Sequence, residues 1–280
     1  MLDLTEVQVN AFVDALEEGY RRSYGRQEPE HPGIIRWAGE TVLELIAGSD
    51  ALYHDVEHTM LVTLVGQEIL RGKHAREGGV TARDWLQVIV ALLCHDIGYV
   101  KGVCRADRGF RCDRGDGSMV DLPEGSTDAS LTPYHVDRGQ RFVAERFTEN
   151  PWIDVGRVME SIEHTRFPVP AKEDPREVSG LASVVRSADL IGQLSDPRYL
   201  TKTPALFYEF VETGVADRLG YHDPGDLRRN YPRFYWSGVF PCIQDGLFWL
   251  EATQRGREIR ANLFANVFMA EHAAVELQQP

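Results

Sequence analysis

The chain has 280 residues, of which 43% are hydrophobic, and this is enough apolar material for one large core. Its formal net charge of -13 repels polyanions, so we do not expect it to bind a nucleic-acid duplex. The first residues lack the basic and apolar regions of a signal peptide, and no stretch approaches the roughly 20 apolar residues of a membrane span. These features predict a cytoplasmic protein without membrane contact.

Apolar residues recur at spacings of three and four along almost the whole chain, and alternating strand-like runs are hard to find. This pattern predicts an all-α protein. Residues 101–133 interrupt it with an irregular loop rich in Gly, Pro, Arg and Asp. We predict helices over residues 4–24, 34–48, 55–73, 82–97, 135–148, 153–165, 178–194, 203–219 and 238–277, the last broken into two.

Two histidines stand at the start of the third predicted helix. His54 and His58 are four residues apart and therefore share one helix face. That face continues through Leu61 and Val65, so both imidazoles are expected to point toward the core. A pair of this kind is also typical of hydrogen-bonded core histidines, and it is weak evidence for a site when taken alone.

The fourth predicted helix is apolar on nearly every side and ends in the doublet His95-Asp96. An unpaired buried carboxylate costs several kcal/mol or shifts its pKa until it is neutral. A metal ion would satisfy both side chains of the doublet at once. The alternative is that Asp96 only orients His95.

Three further candidates lie on later predicted helices. His135 stands one turn before Gly139, whose missing side chain would let another helix approach closely. His164 lies near the end of its helix with poorer support from the apolar pattern. Asp189 lies on a face of small residues, where it would either bind a metal ion or form a salt bridge with a buried arginine such as Arg186.

The order of these residues resembles the HD superfamily of metal-dependent phosphohydrolases, whose signature is H…HD…D, with extra histidines in its two-metal branches. The doublet also continues as Ile97-Gly98, the form common in that family. The resemblance covers about residues 50–195 and implies an HD-domain helical bundle. We therefore expect one domain over residues 1–280, in which the aromatic segment 196–280 serves as a packed lid or a homodimer surface.

The resemblance also implies a ligand set for one or two divalent ions. Mixed imidazole and carboxylate ligands suit Fe, Mn, Zn or Co, and Mg could occupy the second position. By this resemblance, one ion is held by His58, His95, Asp96 and Asp189, and Asp96 bridges to a second ion bound by His135 and His164.

The arrangement Tyr53-His54-xxx-His58 is similar to the YHxxxH motif of class I cyclic-nucleotide phosphodiesterases. That resemblance implies that His54 is the general acid and that metal-bound hydroxide attacks phosphorus. The expected activity is hydrolysis of a nucleotide or cyclic-nucleotide ester.

The sequence departs from the family patterns in two places. Tyr99 stands where a lysine often follows the HDIG motif, and the GYP triplet of cyclic-di-GMP phosphodiesterases is missing. Gln193 and Gln244 are both candidates for the family's late glutamine.

The loop beside the doublet carries several cations, including Lys101, Arg105 and Arg108. Arginine forks match phosphate oxygens, so these residues are candidate substrate-binding groups. A solvated charge run, paired with aspartates of the same loop, explains them equally well.

Two other functions remain open at this point. Di-iron oxygenases of the HD superfamily, such as those resembling myo-inositol oxygenase, use the same order of four histidines and two aspartates. A degenerate HD domain that serves as a nucleotide sensor or structural partner is the third interpretation. An iron-loaded protein that consumes oxygen and releases no phosphate would identify the oxygenase.

Overall fold

The computed structural model describes residues 4–169 and 180–276, and it confirms that the protein is all-α. Within these ranges, no helix is both long enough and apolar enough to cross a bilayer. The helices are α1 (Leu4–Tyr24), α2 (His31–Ala47), α3 (Val56–Glu77), α4 (Ala82–Cys94), α5 (His135–Phe147), α6 (Val155–Glu163), α7 (Leu181–Leu194), α8 (Tyr199–Glu212), α9 (Val215–Leu219), α10 (Pro224–Phe234), α11 (Phe240–Leu250) and α12 (Gln254–Glu276).

Most predicted helices are present, but one predicted helix is divided in two and another helix was not predicted. The helix predicted over 203–219 is divided into α8 and α9 at Gly214, whose φ of 67° is left-handed and ends a regular helix. Helix α10 was missed because its prolines suggested a loop, although Pro224 occupies the first turn, where proline is tolerated. The predicted break within 238–277 is confirmed between α11 and α12. Residues 178, 179 and 277 lie outside the described residues.

Helix α4 lies at the centre of the fold. Every residue from Trp85 to Cys94 is buried, as the apolar sequence predicted. Thr81 and Asp84 form a capping box that fixes where the helix begins. The doublet His95-Asp96 therefore leaves the helix inside the core rather than at the surface.

Helices α3 and α7 pack at a very short separation, which Gly192 permits. A Cβ atom at Gly192 of α7 would lie 2.6 Å from the Cα atom of Val62 in α3. Gly66 of α3 is crowded by two helices, since a Cβ atom there would lie 2.1 Å from a methyl carbon of Leu92 in α4 and 3.1 Å from the Cβ atom of Ala188 in α7. A side chain at either position would force the neighbouring groups to move. The contact of α3 with α7 brings the start of α3 beside the middle of α7.

Helix α5 is held against the turn that follows α4 in a similar way. A Cβ atom at Gly98 would lie 1.9 Å from the carbonyl oxygen of His135. At Gly139, a Cβ atom would lie 3.2 Å from the carbonyl oxygen of Cys94, so the close helix approach expected there is confirmed. The N-terminal residue of α5 is thereby placed next to the doublet.

The segment between α4 and α5 is more ordered than the predicted loop over 101–133. It contains an antiparallel hairpin of β1 (Arg111–Asp113) and β2 (Met119–Asp121), in which Cys112 pairs with Val120. Arg138 of α5 has no exposed surface and anchors the segment. Its guanidinium donates to the carbonyl oxygens of Gly98 and Val100 and to the Asp107 carboxylate. A buried ion pair thus ties the loop to the turn after Asp96.

Candidate metal centre

Four of the predicted ligands converge where α3, α4 and α7 meet. Asp96 Oδ2 lies 3.1 Å from Nε2 of both His58 and His95, and the two Nε2 atoms are 3.4 Å apart. Asp189 Oδ1 lies 3.7 Å from His95 Nε2 and 4.0 Å from His58 Nε2. Among the described residues, His58, His95 and Asp189 form a group that could hold a metal ion, with ligand atoms within 4.8 Å of one another.

These distances fit ligands of a shared transition-metal ion. Donor atoms held about 2.0–2.2 Å from one ion lie about 2.8–3.6 Å apart in octahedral or tetrahedral arrangements. The contacts among His58, His95 and Asp96 are within that range. Asp189 would need to move by less than about half an ångström to join them. The donor set therefore fits an ion of this size.

The backbone prepares two histidines as ligands. His95 Nδ1 donates to the carbonyl oxygen of Leu92 at 2.7 Å, and His135 Nδ1 donates to that of Thr132 at 2.6 Å. Because a carbonyl oxygen only accepts, the proton of each neutral ring is on Nδ1. Nε2 then carries a lone pair, which is the state a metal ligand needs.

The pKa values of the two carboxylates in the cluster are shifted in opposite directions. Burial alone would raise the pKa of Asp96, but the neighbouring His95 and His58 hold it well below its usual range. Burial raises the pKa of Asp189, although His95 opposes that change. The two imidazoles thus keep Asp96 ionised, and a metal ion is the other kind of positive charge that could balance both buried carboxylates.

His135 lies on the other side of Asp96 from the first group. Its Nε2 is 3.9 Å from Asp96 Oδ1, whereas Asp96 Oδ2 faces His58 and His95. A carboxylate whose two oxygens face different imidazoles has the arrangement that a bridging ligand requires. Burial lowers the pKa of His135 and favours its neutral form.

His164 ends α6 beside the cation of Arg186. The Arg186 guanidinium donates from Nε to the carbonyl oxygen of His164 at 2.9 Å, and another of its nitrogens lies 3.5 Å from His164 Nδ1. Within the described ranges, the three-residue metal group does not include His164. The bond expected between Asp189 and Arg186 as an alternative is replaced here by contacts of Arg186 with His164.

His54 is held at the edge of the cluster by a carboxylate from far along the chain. Its Nδ1 lies 2.6 Å from Glu209 Oε2, while Glu209 Oε1 accepts from the backbone N–H of Tyr53 at 2.7 Å. The His54 ring meets the ring of His58 edge-on, with centroids 5.4 Å apart. Glu209 therefore fixes both the backbone and the ring of His54.

This pairing keeps His54 protonated at neutral pH. Burial lowers its pKa, but the charge of Glu209 and the hydrogen bond to it outweigh burial and raise the pKa to about 9. Burial also acts to raise the pKa of Glu209, and the nearby His54 holds it below its usual range instead. An imidazolium of this kind can donate a proton from Nε2.

Glu209 was missed because the segment after Asp196 contained nothing that looked catalytic. A signal does exist, since Glu209 stands between Tyr208 and Phe210 in an aromatic run of α8 and is only 2% exposed. A carboxylate on the buried face of such a helix needs a partner. The sequence does not indicate which residue that partner is.

The predicted substrate-binding cations contact the loop itself or the neighbouring helix α5. Lys101 Nζ donates to the carbonyl oxygen of Ser126 at 2.6 Å and lies 3.4 Å from Asp128. Arg105 donates to the carbonyl oxygen of Glu145, and Arg108 donates to that of Arg105. Their assignment as phosphate ligands stays a prediction.

The two candidate glutamines differ in position. Gln193 follows Asp189 by one turn of α7 and is half-buried, whereas Gln244 is exposed on α11. Residues one turn apart share a helix face, so Gln193 lies on the side of α7 that carries Asp189.

Comparison with known proteins gives one match of wide coverage. The sequence profile described as Npun_R2479-like matches residues 2–273. No curated protein and no solved structure matches the chain. Because the profile spans nearly the whole sequence, the chain belongs to the Npun_R2479-like family.

Proposed function

We propose that this protein is a metal-dependent phosphohydrolase, and more narrowly a phosphodiesterase that acts on a nucleotide or cyclic nucleotide. The observation that carries the proposal is the convergence of His58, His95, Asp96 and Asp189 at distances suited to one ion. These residues come from three helices in the buried part of the fold. Packing alone gives no reason to gather two imidazoles and two carboxylates there.

In the proposed hydrolysis, His54 is the proton donor and Glu209 orients it. The oxygen of water adds to phosphorus and the water gives up one proton, which passes through solvent to reprotonate His54 after turnover, while the bond from phosphorus to the alcohol oxygen breaks. His54 gives its proton to that departing oxygen, which would otherwise leave as an unstable alkoxide. Glu209 holds His54 in orientation through the 2.6 Å contact and keeps it charged before the reaction.

A divalent ion held by the cluster would supply Lewis acidity and lower the pKa of a coordinated water from 15.7 to about 7. The mixed nitrogen and oxygen donors are best suited to Fe, Mn, Zn or Co. Asp96 and His135, with His164, are the residues that would hold a second ion, for which Mg is a further candidate. Occupied by cations, the site would attract a phosphate ester despite the acidic surface.

Metal analysis combined with a substrate screen tests this function. Protein purified without added metal is assayed by elemental analysis, then reloaded and offered cyclic nucleotides, nucleoside phosphates and bis(4-nitrophenyl) phosphate. We expect bound transition metal and release of an alcohol or phosphate product. Asp189→Asn should lose both properties, whereas Asp137→Asn, a carboxylate paired with Arg166 nearer the surface, should keep them. Metal-free wild-type protein with no turnover after reloading would refute the proposal.

The alternative is an HD-type di-iron oxygenase. It is favoured by one observation, namely that the two oxygens of Asp96 face different histidines, as a two-ion site requires. The pairing of His54 with Glu209 supports the hydrolase instead, since a proton donor serves a departing alkoxide. Oxygen uptake by iron-loaded protein, without product release from any ester, would select the oxygenase.

A further inference from the structure

Tyr99 lies between two histidines of the candidate site, and neither ring face is open. The ring of His54 stacks on one side with centroids 4.3 Å apart and an angle of 13° between the planes. The ring of His135 stacks against Tyr99 at 4.6 Å and 22°. Tyr99 itself is 3% exposed. Three rings therefore form one stack beside Asp96.

Each histidine in the stack has two kinds of contact, a hydrogen bond at the ring edge and a stacking contact on the ring face. Edge contacts bind Nδ1 of His54 to Glu209 and Nδ1 of His135 to the carbonyl oxygen of Thr132. A hydrogen bond at Nδ1 restrains the ring but tolerates a tilt of its plane by about 30°. The face contact with Tyr99 limits that tilt for both rings.

Tyr99 also has a fixed position of its own. It closes the single-turn 3-10 helix Ile97–Tyr99, whose following backbone is bound by the buried Arg138. Gly98 before it is in contact with the backbone of α5. The ring is thus attached to a backbone that is held by Arg138 and packed against α5, which is what a positioning group requires.

We propose that Tyr99 is the positioning residue that fixes the ring planes of His54 and His135, and through His54 governs proton donation to the leaving group. This inference rests on the proposed hydrolytic function for its consequence in catalysis. The stacking contacts of the Tyr99 ring are with His54 and His135, so its proposed effect passes through those two rings. It acts on the reaction through the angle at which His54 presents Nε2.

Dependence on the leaving group separates this role from general support of the fold. Bis(4-nitrophenyl) phosphate releases a nitrophenolate that needs no proton, whereas 3',5'-cyclic AMP releases an alkoxide that does. Tyr99→Leu removes the stack, and kcat for the cyclic nucleotide should fall about 10- to 100-fold because small misplacement of a catalytic group has effects of this size. Compared at equal bound metal, turnover of the nitrophenyl ester should stay within about three-fold of wild type.

Tyr99→Phe is the conservative variant that keeps both face contacts, and it should restore the ratio of the two rates to the wild-type value. Tyr24→Leu is the matched control, since it also removes a buried tyrosine, far along the chain in α1. Any loss caused by instability must affect both substrates equally. Equal losses in Tyr99→Leu would overturn the inference.

A spectroscopic measurement keeps this test independent of the proposed function. The protein is loaded with zinc, its histidine rings are labelled with ¹⁵N, and the signal of His54 is assigned with His54→Gln. In wild type and Tyr99→Phe, the rings of His54 and His135 should give sharp signals, which Tyr99→Leu should broaden. Unchanged signals in Tyr99→Leu would refute positioning even if no ester is hydrolysed, whereas broadened signals without any turnover would refute only the hydrolase.

Discussion

The candidate metal centre and the cation-rich loop after it are both dense in charge, yet they differ in how that charge is neutralised. In the metal centre, His58, His95 and Asp96 face one another, and within residues 4–169 and 180–276 Asp96 forms ion pairs with histidines rather than with lysine or arginine. In the loop, Lys101 meets Asp128 and a carbonyl oxygen, and Arg105 meets another carbonyl. The first group has only imidazoles to balance its carboxylates, whereas the second pairs its cations with aspartate and backbone oxygens.

This difference shows that the number of charged residues is a poor guide to function. Charged side chains at a surface pair with whatever is nearby and contribute little. Buried groups that converge without neutralisation are expensive, and they persist where a ligand completes them. The predictions below test whether the metal centre and the loop differ in this way.

The largest effect is expected from removing a ligand. His58→Ala should reduce bound metal to background and lower kcat about 10³-fold or more, since water activation depends on the ion. Elemental analysis and initial rates on the same sample measure both quantities. Full metal content in the variant would contradict the shared-ion geometry.

Removing the proton donor should have a smaller and more selective effect. His54→Gln should retain metal while its rate on an alkyl phosphate diester falls about 10²–10⁴-fold. A substrate with a nitrophenolate leaving group should be much less affected. Retained activity on the alkyl ester would assign the general acid to another residue.

The partner of the proton donor should control the pH profile. Because the pKa of His54 is raised to about 9, the acid is present below that pH, and kcat for an alkyl ester should fall as pH rises through it. Glu209→Gln removes the charge responsible, so the pH at which kcat falls should move from about 9 toward the ordinary histidine pKa of 6.5. We also expect a loss of about 10- to 100-fold at pH 8, as for other orienting partners.

If kcat of Glu209→Gln decreases at the same pH as in the wild type, the decrease is caused by the titration of a group other than His54. Glu212→Gln is a suitable control, because Glu212 lies on the same helix and binds Thr127 of the loop rather than His54. Its pH profile should match that of the wild type.

The smallest effect is expected in the loop. Replacing Arg105 and Arg108 by alanine should raise KM for a phosphate ester at most several-fold, because their guanidinium groups already donate to backbone carbonyls. Metal content should stay unchanged. A rise in KM of about 100-fold would show that these arginines bind phosphate after all.

Local sequence was sufficient to predict most of the helices and the burial of the doublet at the end of α4. The position of His95-Asp96 at the end of an apolar helix predicts burial, and burial makes those side chains conspicuous. By contrast, the β1–β2 hairpin and α10 were missed, because three-residue strands leave no periodic signal and a proline at a helix start resembles a loop. Both missed elements are short or begin with a residue that is also common in loops, and neither belongs to the central helices.

The sequence by itself determined that the chain is helical and that histidines and aspartates lie on buried faces, because apolar periodicity records which side of each helix avoids water. Tertiary packing decided which of those faces meet. Glu209 reaches His54 across 155 residues of sequence, and the ring of Tyr99 is inserted between two histidines. No local sequence pattern predicts these contacts, because they depend on how the helices pack against one another. Close approaches at glycines such as Gly98 are part of that packing.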